Sequence, residues 1–278
     1  MQMDAGRKPL LPAGIEVLLR DLIHERTGIF FESDRVDVLI EKLEPLAMAR
    51  DCYSYLDYYY LLKYEENGVE DWARVMDVLS VQETYFWREI GQVRTLVDVI
   101  VPEWFQKTSA PLRIWSAASA SGEEPYTILM ALLEAGWGGH PIEIKGSDGS
   151  SSALQRSATA TYREKSFRAL PPHLKEKYFI PVEKEWKLRP EIARRVTFER
   201  ANLLNTAEIS TLARSPVIFC RNVFIYFSPH AVRQTVAAFA SRMPSGGHLF
   251  VGAAESLLRL TADFELKEIG ESFVYVRV

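Results

Sequence analysis

The feature that most constrains this chain is a strand, a tight turn and a helix start that follow one another from residue 112 onward. Leu112 to Trp115 form an apolar run typical of a buried strand, and small residues with a single glycine, Gly122, come next. Two acidic residues, Glu123 and Glu124, then open a helical pattern. In α/β sheets such a strand–turn–helix unit forms the crevice that binds nucleotide-like ligands.

The chemistry of this turn narrows the class of ligand. The turn lacks the glycines that cradle a pyrophosphate, which argues against a nicotinamide dehydrogenase. Its carboxylates would repel phosphate but suit a ligand that carries hydroxyl groups and a positive charge. S-adenosylmethionine (SAM), with its sulfonium, amino group and ribose, has this chemistry.

Composition excludes several classes of protein. The 278 residues carry a formal net charge of -4, which argues against a general nucleic-acid binder. The two cysteines match no metal-binding spacing. We found neither a secretory signal nor an apolar stretch that approaches the about 18 residues of a membrane span. We therefore expect a cytoplasmic monomer without membrane insertion and without a metal site.

Hydrophobic periodicity predicts three parts. Residues 1–80 are predicted to form an all-helical domain, with 9 Lys/Arg against 16 Asp/Glu. Residues 81–110 are predicted to be a connector that includes one long helix from Ile90 to Gln106. From 111 to 278, apolar runs alternate with helices, which predicts an α/β domain with a doubly wound, mainly parallel sheet and a closing antiparallel pair.

A proline-rich insert interrupts this alternation at about 161–198. Residues 160–200 hold 11 Lys/Arg and 6 Asp/Glu, so the segment is basic. We predict a small subdomain of a helix and short strands that lies over the sheet.

Polar residues follow several of the predicted strands, where α/β sheets bind their ligands. Asp148 is placed to accept hydrogen bonds from ribose hydroxyls. Asn202 suits the edge of an adenine, although a simple turn-forming role explains it equally well. Arg221 and Asn222 end a buried strand, which is costly unless they are paired. Tyr226 is expected near the reacting centre.

The connector contains a further candidate, Arg88. Its guanidinium suits the carboxylate of a cofactor or of an acceptor through a bidentate contact. An ordinary ion pair on a helix is the simpler alternative.

Four segments, in this order, resemble the chemotaxis receptor methyltransferases, the CheR family. The resemblance covers nearly the whole chain. It is carried by Glu83-Thr84-Tyr85-Phe86-Trp87-Arg88-Glu89, by Trp115 to Tyr126, by Phe219 to Pro229, and by Gly246 to Gly252 with Glu255-Ser256-Leu257.

The resemblance implies a SAM-dependent, Rossmann-like methyltransferase. Such enzymes transfer a methyl group from SAM to glutamates on the cytoplasmic helices of chemoreceptors, forming methyl esters and leaving S-adenosylhomocysteine. Arg88 and Tyr226 are expected to orient the acceptor. The implied cofactor contacts are Gln82, Thr84, Arg88, Glu123, Asp148, Asn202, Leu203, Arg221, Asn222 and Tyr226.

The chain departs from the family pattern at four places. Gln82 replaces the usual Asn, Gly149-Ser150 replaces an Ile-Asp pair, and Gly252 is followed by Ala253-Ala254 instead of His-Ser. The N-terminal domain is acidic where the family carries a basic helix. Residues 179–197 contain no glycine, so the chain resembles members that work without tethering a C-terminal receptor pentapeptide.

Two alternatives to an active receptor methyltransferase remain open at this stage. One is a weakly active or inactive SAM-binding module that regulates a signalling array. The other is a methyltransferase whose carboxylate substrate is not a receptor. Methyl transfer to receptor fragments would distinguish an active receptor methyltransferase from both alternatives.

Overall fold

The computed structural model describes residues 8–64 and 68–278. Its N-terminal part consists of helices whose apolar faces share one core, which includes Leu19, Ile23, Leu39 and Leu43. The recurrence of these residues at three- and four-residue spacing explains why the helices pack together. The predicted helical character of this part is confirmed. The helices are α1 (Ile15–Thr27), α2 (Val36–Ala49), α3 (Tyr55–Tyr64) and α4 (Gly68–Leu79).

One long helix leads into the rest of the molecule, as predicted. It consists of α5 (Ile90–Thr95), a π-helical turn (Leu96–Ile100) and α6 (Val101–Lys107). Pro102 has no N–H to donate to the carbonyl four residues before it, so one hydrogen bond of the regular ladder is missing there. The wider π turns end at Ile100, two residues before this proline.

The predicted doubly wound sheet is present and has seven strands in the order β6-β2-β1-β7-β8-β10-β9. The five strands from β6 to β8 are parallel, and β10 and β9 close the sheet in antiparallel fashion. The strands are β1 (Leu112–Ala117), β2 (Ile142–Asp148), β6 (Val196–Arg200), β7 (Val217–Phe219), β8 (His248–Phe250), β9 (Phe264–Ile269) and β10 (Ser272–Arg277).

Helices cover the sheet between these strands. The main ones are α7 (Glu123–Glu134), α8 (Ser151–Thr159) and α11 (Pro229–Ala240). From β1 the chain continues to β2 on one side, while β7 lies on the other side. This change of direction opens a crevice beyond the carboxyl ends of the three strands.

The insert forms a separate three-stranded antiparallel sheet in the order β3-β5-β4, as the predicted short strands required. The sequence analysis did not predict β6, and its insert boundary at about 198 falls inside this strand. β6 lies at the exposed edge of the sheet, and apolar and polar residues alternate along it. Its sequence pattern therefore resembles that of the basic segment before it. The insert elements are β3 (Thr161–Tyr162), α9 (Pro172–Tyr178), β4 (Phe179–Val182), β5 (Glu185–Leu188) and α10 (Pro190–Ala193).

Phe86 fixes the connector to the insert. Its buried ring stacks on Phe167 with centroids 5.3 Å apart and meets the edges of Tyr162 and Phe179 at 4.8 and 5.0 Å. Aromatic contacts of this kind each add about 0.5–1.5 kcal/mol beyond burial of area. The connector residues on either side of Phe86 are therefore held close to the insert.

Candidate functional site

A cavity lies beyond the carboxyl ends of β1, β2 and β7, where the sequence analysis placed the site. Its empty volume is about 1060 Å³, part of it open to solvent. Both halves of the molecule contribute to its walls, since Thr27, Ile29 and Met76 come from the N-terminal helices and the loop between them.

The structure brings nine of the ten predicted cofactor residues to this one cavity. They come from four separate stretches of the chain, so their convergence depends on the fold. The nine are Gln82, Thr84, Arg88, Asp148, Asn202, Leu203, Arg221, Asn222 and Tyr226.

Glu123 is the predicted residue that the structure does not bring to the cavity wall. Its Oε2 accepts a hydrogen bond of 2.7 Å from Ser121 and its Oε1 one of 3.1 Å from Ser166 of the insert. Burial raises the pKa of this carboxyl. The neighbouring residue, Glu124, lines the cavity instead.

The turn after β1 has unusual backbone geometry. Ala118 and Ala120 have φ values of 53° and 47°, a region that residues with a Cβ rarely adopt. Gly122 has φ of 92°, and a Cβ there would lie 2.9 Å from the Cβ of Ser157. Such strain is held in place by surrounding structure and is common at ligand sites.

Asp148 ends β2 with its carboxylate at the cavity. Oδ2 accepts a hydrogen bond of 2.9 Å from the backbone N–H of Ala120, and Oδ1 accepts one of 2.8 Å from that of Ser150. Burial is the main reason that the pKa of Asp148 is raised. Because a carboxylate has about four lone-pair positions, both oxygens keep capacity for a further donor.

Arg221 follows β7 and is paired, as its burial requires. Its Nε donates to Glu124 Oε2 over 2.6 Å, and Nη1 donates to Gln92 Oε1 over 3.1 Å. Nη2 donates to the carbonyl of Arg88 over 3.1 Å. The guanidinium therefore joins the sheet, the helix after the turn and the connector at one point.

Asn202 serves as a turn residue and as a link between the two halves of the molecule. Its Oδ1 accepts from the N–H of Leu204 over 3.0 Å, the turn-forming contact that the sequence left open. Its Nδ2 donates to the carbonyl of Arg26 in α1 over 2.6 Å. The adjacent Leu203 is buried at the cavity wall.

The connector covers one side of the cavity. Gln82 donates through Nε2 to Ser150 Oγ over 3.0 Å, and Arg88 donates through Nη1 to the carbonyl of Glu83 over 2.9 Å. Trp87 and Glu89 have φ of 70° and 48°, so Arg88 sits between two strained residues.

Glu255 shapes the remaining wall, a role that the sequence did not reveal. Its Oε2 accepts from the N–H of Asn222 over 2.8 Å and from that of Gly252 over 2.6 Å. Asn222 has φ of 59°. These contacts fix the loop that leads to Tyr226, whose carbonyl accepts a hydrogen bond of 2.8 Å from Phe30 of the N-terminal part.

Comparison with known proteins decides the family. The family model described as CheR methyltransferase, SAM binding domain, matches residues 82–273. This chain belongs to the CheR family. Chemotaxis protein methyltransferase 2 of Vibrio cholerae is 35% identical over 263 residues, which are 93% of this chain and 91% of that protein. Chemotaxis protein methyltransferase 1 of Pseudomonas aeruginosa is 28% identical over 93% of this chain and 96% of its own length.

Similarity to solved structures is weaker. The crystal structure of magnesium protoporphyrin IX methyltransferase from Synechocystis PCC 6803 with bound SAM covers 96% of this chain and 99% of its own, at 12% identity and a TM-score of 0.38. The family assignment therefore rests on the sequence matches.

The polar side chains that line this CheR cavity fit SAM. The carboxylate of Asp148 has free acceptor capacity for ribose hydroxyls, and Glu124 adds a second acidic group at the wall. Among the residues the structure describes, Ser119 has a buried Oγ without a hydrogen-bond partner and also lines the cavity. Acidic groups and hydroxyls are a poor setting for phosphate but a good one for a cationic, hydroxyl-bearing ligand.

Within residues 8–64 and 68–278, no helix combines the length and the apolar character that a membrane span requires. The same residues contain no group of three or more His, Cys, Asp or Glu side chains that could hold a metal ion.

Proposed function

We propose that this CheR-family chain transfers the methyl group of SAM to glutamate side chains on the cytoplasmic helices of chemoreceptors. The observation that carries this proposal is the convergence of nine residues from four stretches of the chain around one cavity. Bound SAM supplies an electrophilic methyl group. The reaction is then proposed to take place in the cytoplasm, with the enzyme as a monomer.

The proposed cofactor contacts follow from the chemistry of the cavity wall. Asp148 accepts hydrogen bonds from the ribose hydroxyls, and Asn202 and Leu203 lie beside the adenine. Gln82, Thr84, Arg221 and Asn222 surround the remainder of the ligand. Glu123, buried against Ser121 and Ser166, supports the turn from behind.

Arg88 and Tyr226 are proposed to orient the acceptor carboxylate. A glutamate has an ordinary pKa of about 4.3, so it is already ionised near neutral pH and needs no general base. The enzyme therefore contributes position and exclusion of water. Holding two reactants in line can lower a barrier by about 7–11 kcal/mol.

The N-terminal helices are proposed to complete the cover that excludes water. Met76 of α4 and Ile29 line the cavity from this side. We propose a helical domain at 1–80, a connector at 81–110 and a methyltransferase domain at 111–278 with the insert at about 161–198.

We also propose that the enzyme works without a receptor pentapeptide tether. In support, β4 and β5 are joined by only two residues, Glu183 and Lys184, with no glycine. At the β4 edge of this sheet, Pro181 has no N–H to donate to a bound peptide strand.

Transfer of labelled methyl from SAM to a receptor cytoplasmic fragment tests the proposal. The expected product is a glutamyl methyl ester that releases labelled methanol in base. SAM binding without transfer would support a regulatory module instead. Transfer to small carboxylic acids but not to the fragment would support a different substrate.

A further inference from the structure

A cationic surface lies where the cavity meets the insert. It consists of Glu83, Tyr85, Arg88, Lys165 and Arg168, which we call the mouth cluster. Glu83, Tyr85 and Arg88 line the cavity, whereas Lys165 and Arg168 are exposed residues of the insert. The cluster thus connects the reacting site to the outer surface.

Tyr85 lies against two guanidinium groups. The Cζ of Arg168 lies 3.7 Å from the centroid of the Tyr85 ring, and the Cζ of Arg88 lies 5.6 Å from the same centroid. Stacking on an aromatic face fixes the plane of a guanidinium and leaves its N–H groups free to bind a carboxylate.

Glu83 occupies this carboxylate position in the structure. Its Oε1 accepts a hydrogen bond of 2.6 Å from Nη2 of Arg168. The pKa of Glu83 is lowered chiefly by this hydrogen bond, with further contributions from the charges of Lys165 and Arg88. Three cations therefore act on one carboxylate, and the cluster carries excess positive charge.

Some other cations of the insert are compensated. Arg163 pairs with Glu185 at 3.0 Å, and Lys177 pairs with Glu134 at 2.6 Å. Within the described part of the chain, Lys165 makes no ion pair. Its charge acts on Glu83 and therefore adds to the positive charge at the cavity opening.

We propose that Arg168 is a specificity-determining residue that binds an acidic side chain of the substrate segment next to the acceptor glutamate, in exchange for Glu83. This inference rests on the proposed function, because it concerns the acceptor of that reaction. The occupant is an acidic protein segment with a second carboxylate close to the acceptor.

Exchange of partners on Arg168 costs little. The Arg168–Glu83 pair is solvent-exposed, with 43% and 60% of the side-chain surfaces accessible. Exposed pairs of this kind contribute little to stability. An incoming carboxylate can therefore replace Glu83 while Tyr85 keeps the guanidinium in place.

The position of the mouth cluster also explains how a chain with an acidic N-terminal domain can attract an acceptor that is itself acidic. The positive charge that attracts the substrate is supplied by the insert and the connector. Charge complementarity at a rim acts mainly on the encounter and on the orientation of the partner.

The test compares Arg168→Ala with Lys184→Ala, which removes an exposed cation of the same insert in the turn between β4 and β5. For methyl transfer to a receptor cytoplasmic fragment, Arg168→Ala should raise KM about three- to tenfold and change kcat less than about twofold. Lys184→Ala should leave both unchanged. Glu83→Gln, which removes the competing carboxylate, should lower KM.

Direct binding provides a readout that does not depend on turnover. Calorimetric titration of the fragment into the protein saturated with S-adenosylhomocysteine should show the same loss for Arg168→Ala, with unchanged affinity for S-adenosylhomocysteine itself. Equal KM values for the Arg168 and Lys184 variants would overturn the inference. Absence of transfer by the unmodified protein would instead overturn the proposed function, while fragment binding would still report on the mouth cluster.

Discussion

Arg221 and Glu124 form a buried ion pair at the wall of the cavity, with Nε and Oε2 2.6 Å apart and only 2% and 13% of the side-chain surfaces exposed. The pair joins the loop after β7 to the first turn of α7. The carbonyl of Arg88 accepts from the same guanidinium. The position of the connector is therefore coupled to the arrangement of the sheet.

Loss of Glu124 should destabilise the protein. Glu124→Ala leaves the guanidinium of Arg221 buried without its strongest partner, and breaking a buried pair in this way costs about 3–5 kcal/mol. Denaturation in urea should show this loss in the free energy of unfolding. Glu143→Ala, an exposed residue of β2, is the control and should change it by less than about 0.5 kcal/mol. Equal effects of the two variants would contradict the role assigned to the pair.

Gly149 leaves room for the side chain of Met76 at the cavity wall. A Cβ at this position would collide with Cε of Met76, which is the far end of a flexible side chain. Because Met76 can change its rotamer, Gly149→Ala should lower the free energy of unfolding by less than about 1 kcal/mol and change the affinity for S-adenosylhomocysteine by less than about threefold. Urea denaturation and calorimetry measure the two quantities. A larger loss that the double variant with Met76→Ala relieves would contradict this explanation.

His24 should make stability depend on pH. Its Nε2 lies 2.7 Å from Ser228 Oγ, which also accepts from the N–H of Ala231. Burial and then His230 lower the pKa of His24 from its ordinary value, with Asp21 opposing them and Arg20 acting in the same direction. The unfolded chain thus takes up a proton at higher pH than the folded protein.

The sign of the His24 effect follows from this difference. Its contribution to stability is fully present above about pH 6.5 and is lost as the pH falls through the lower pKa of the folded state. Unfolding free energies between about pH 7 and pH 5 should decline less in His24→Gln than in the original chain. Identical pH dependence in both proteins would rule out His24 as the cause.

Glu123 should prove dispensable for cofactor binding. Glu123→Gln keeps an acceptor for Ser121 or Ser166 and removes a carboxyl whose pKa is raised by burial, so stability near neutral pH should change by less than about 1 kcal/mol. Glu123→Ala leaves both hydroxyls without their partner and should cost about 1–3 kcal/mol. Calorimetry with S-adenosylhomocysteine should give Glu123→Gln the original affinity. A large loss there would restore Glu123 as a direct contact, as the sequence suggested.

The sequence was sufficient to locate the crevice because Asp148 and Arg221 each follow an apolar run. It could not distinguish the functions of Glu123 and Glu124. Adjacent residues on a helix point about 100° apart, and the direction of each depends on the orientation of α7 in the fold. The sequence pattern shows both as acidic residues of the same first turn.

The sequence also could not predict which distant parts of the chain contribute residues to the cavity. Thr27, Ile29 and Met76 reach the cavity only because the N-terminal helices pack against it, and no motif marks them. Glu255 was read as part of a family segment, but its hydrogen bonds to Gly252 and Asn222 depend on a loop conformation. Long-range packing supplied the information that local patterns lacked.

Calorimetric titration of the purified protein with S-adenosylhomocysteine tests the central claim most directly. One site per chain is expected, and Asp148→Ala should weaken the affinity by about tenfold or more, because it removes the proposed acceptor of the two ribose hydroxyls. Unchanged affinity in Asp148→Ala, or no detectable binding of either SAM or S-adenosylhomocysteine to the original chain, would contradict the account.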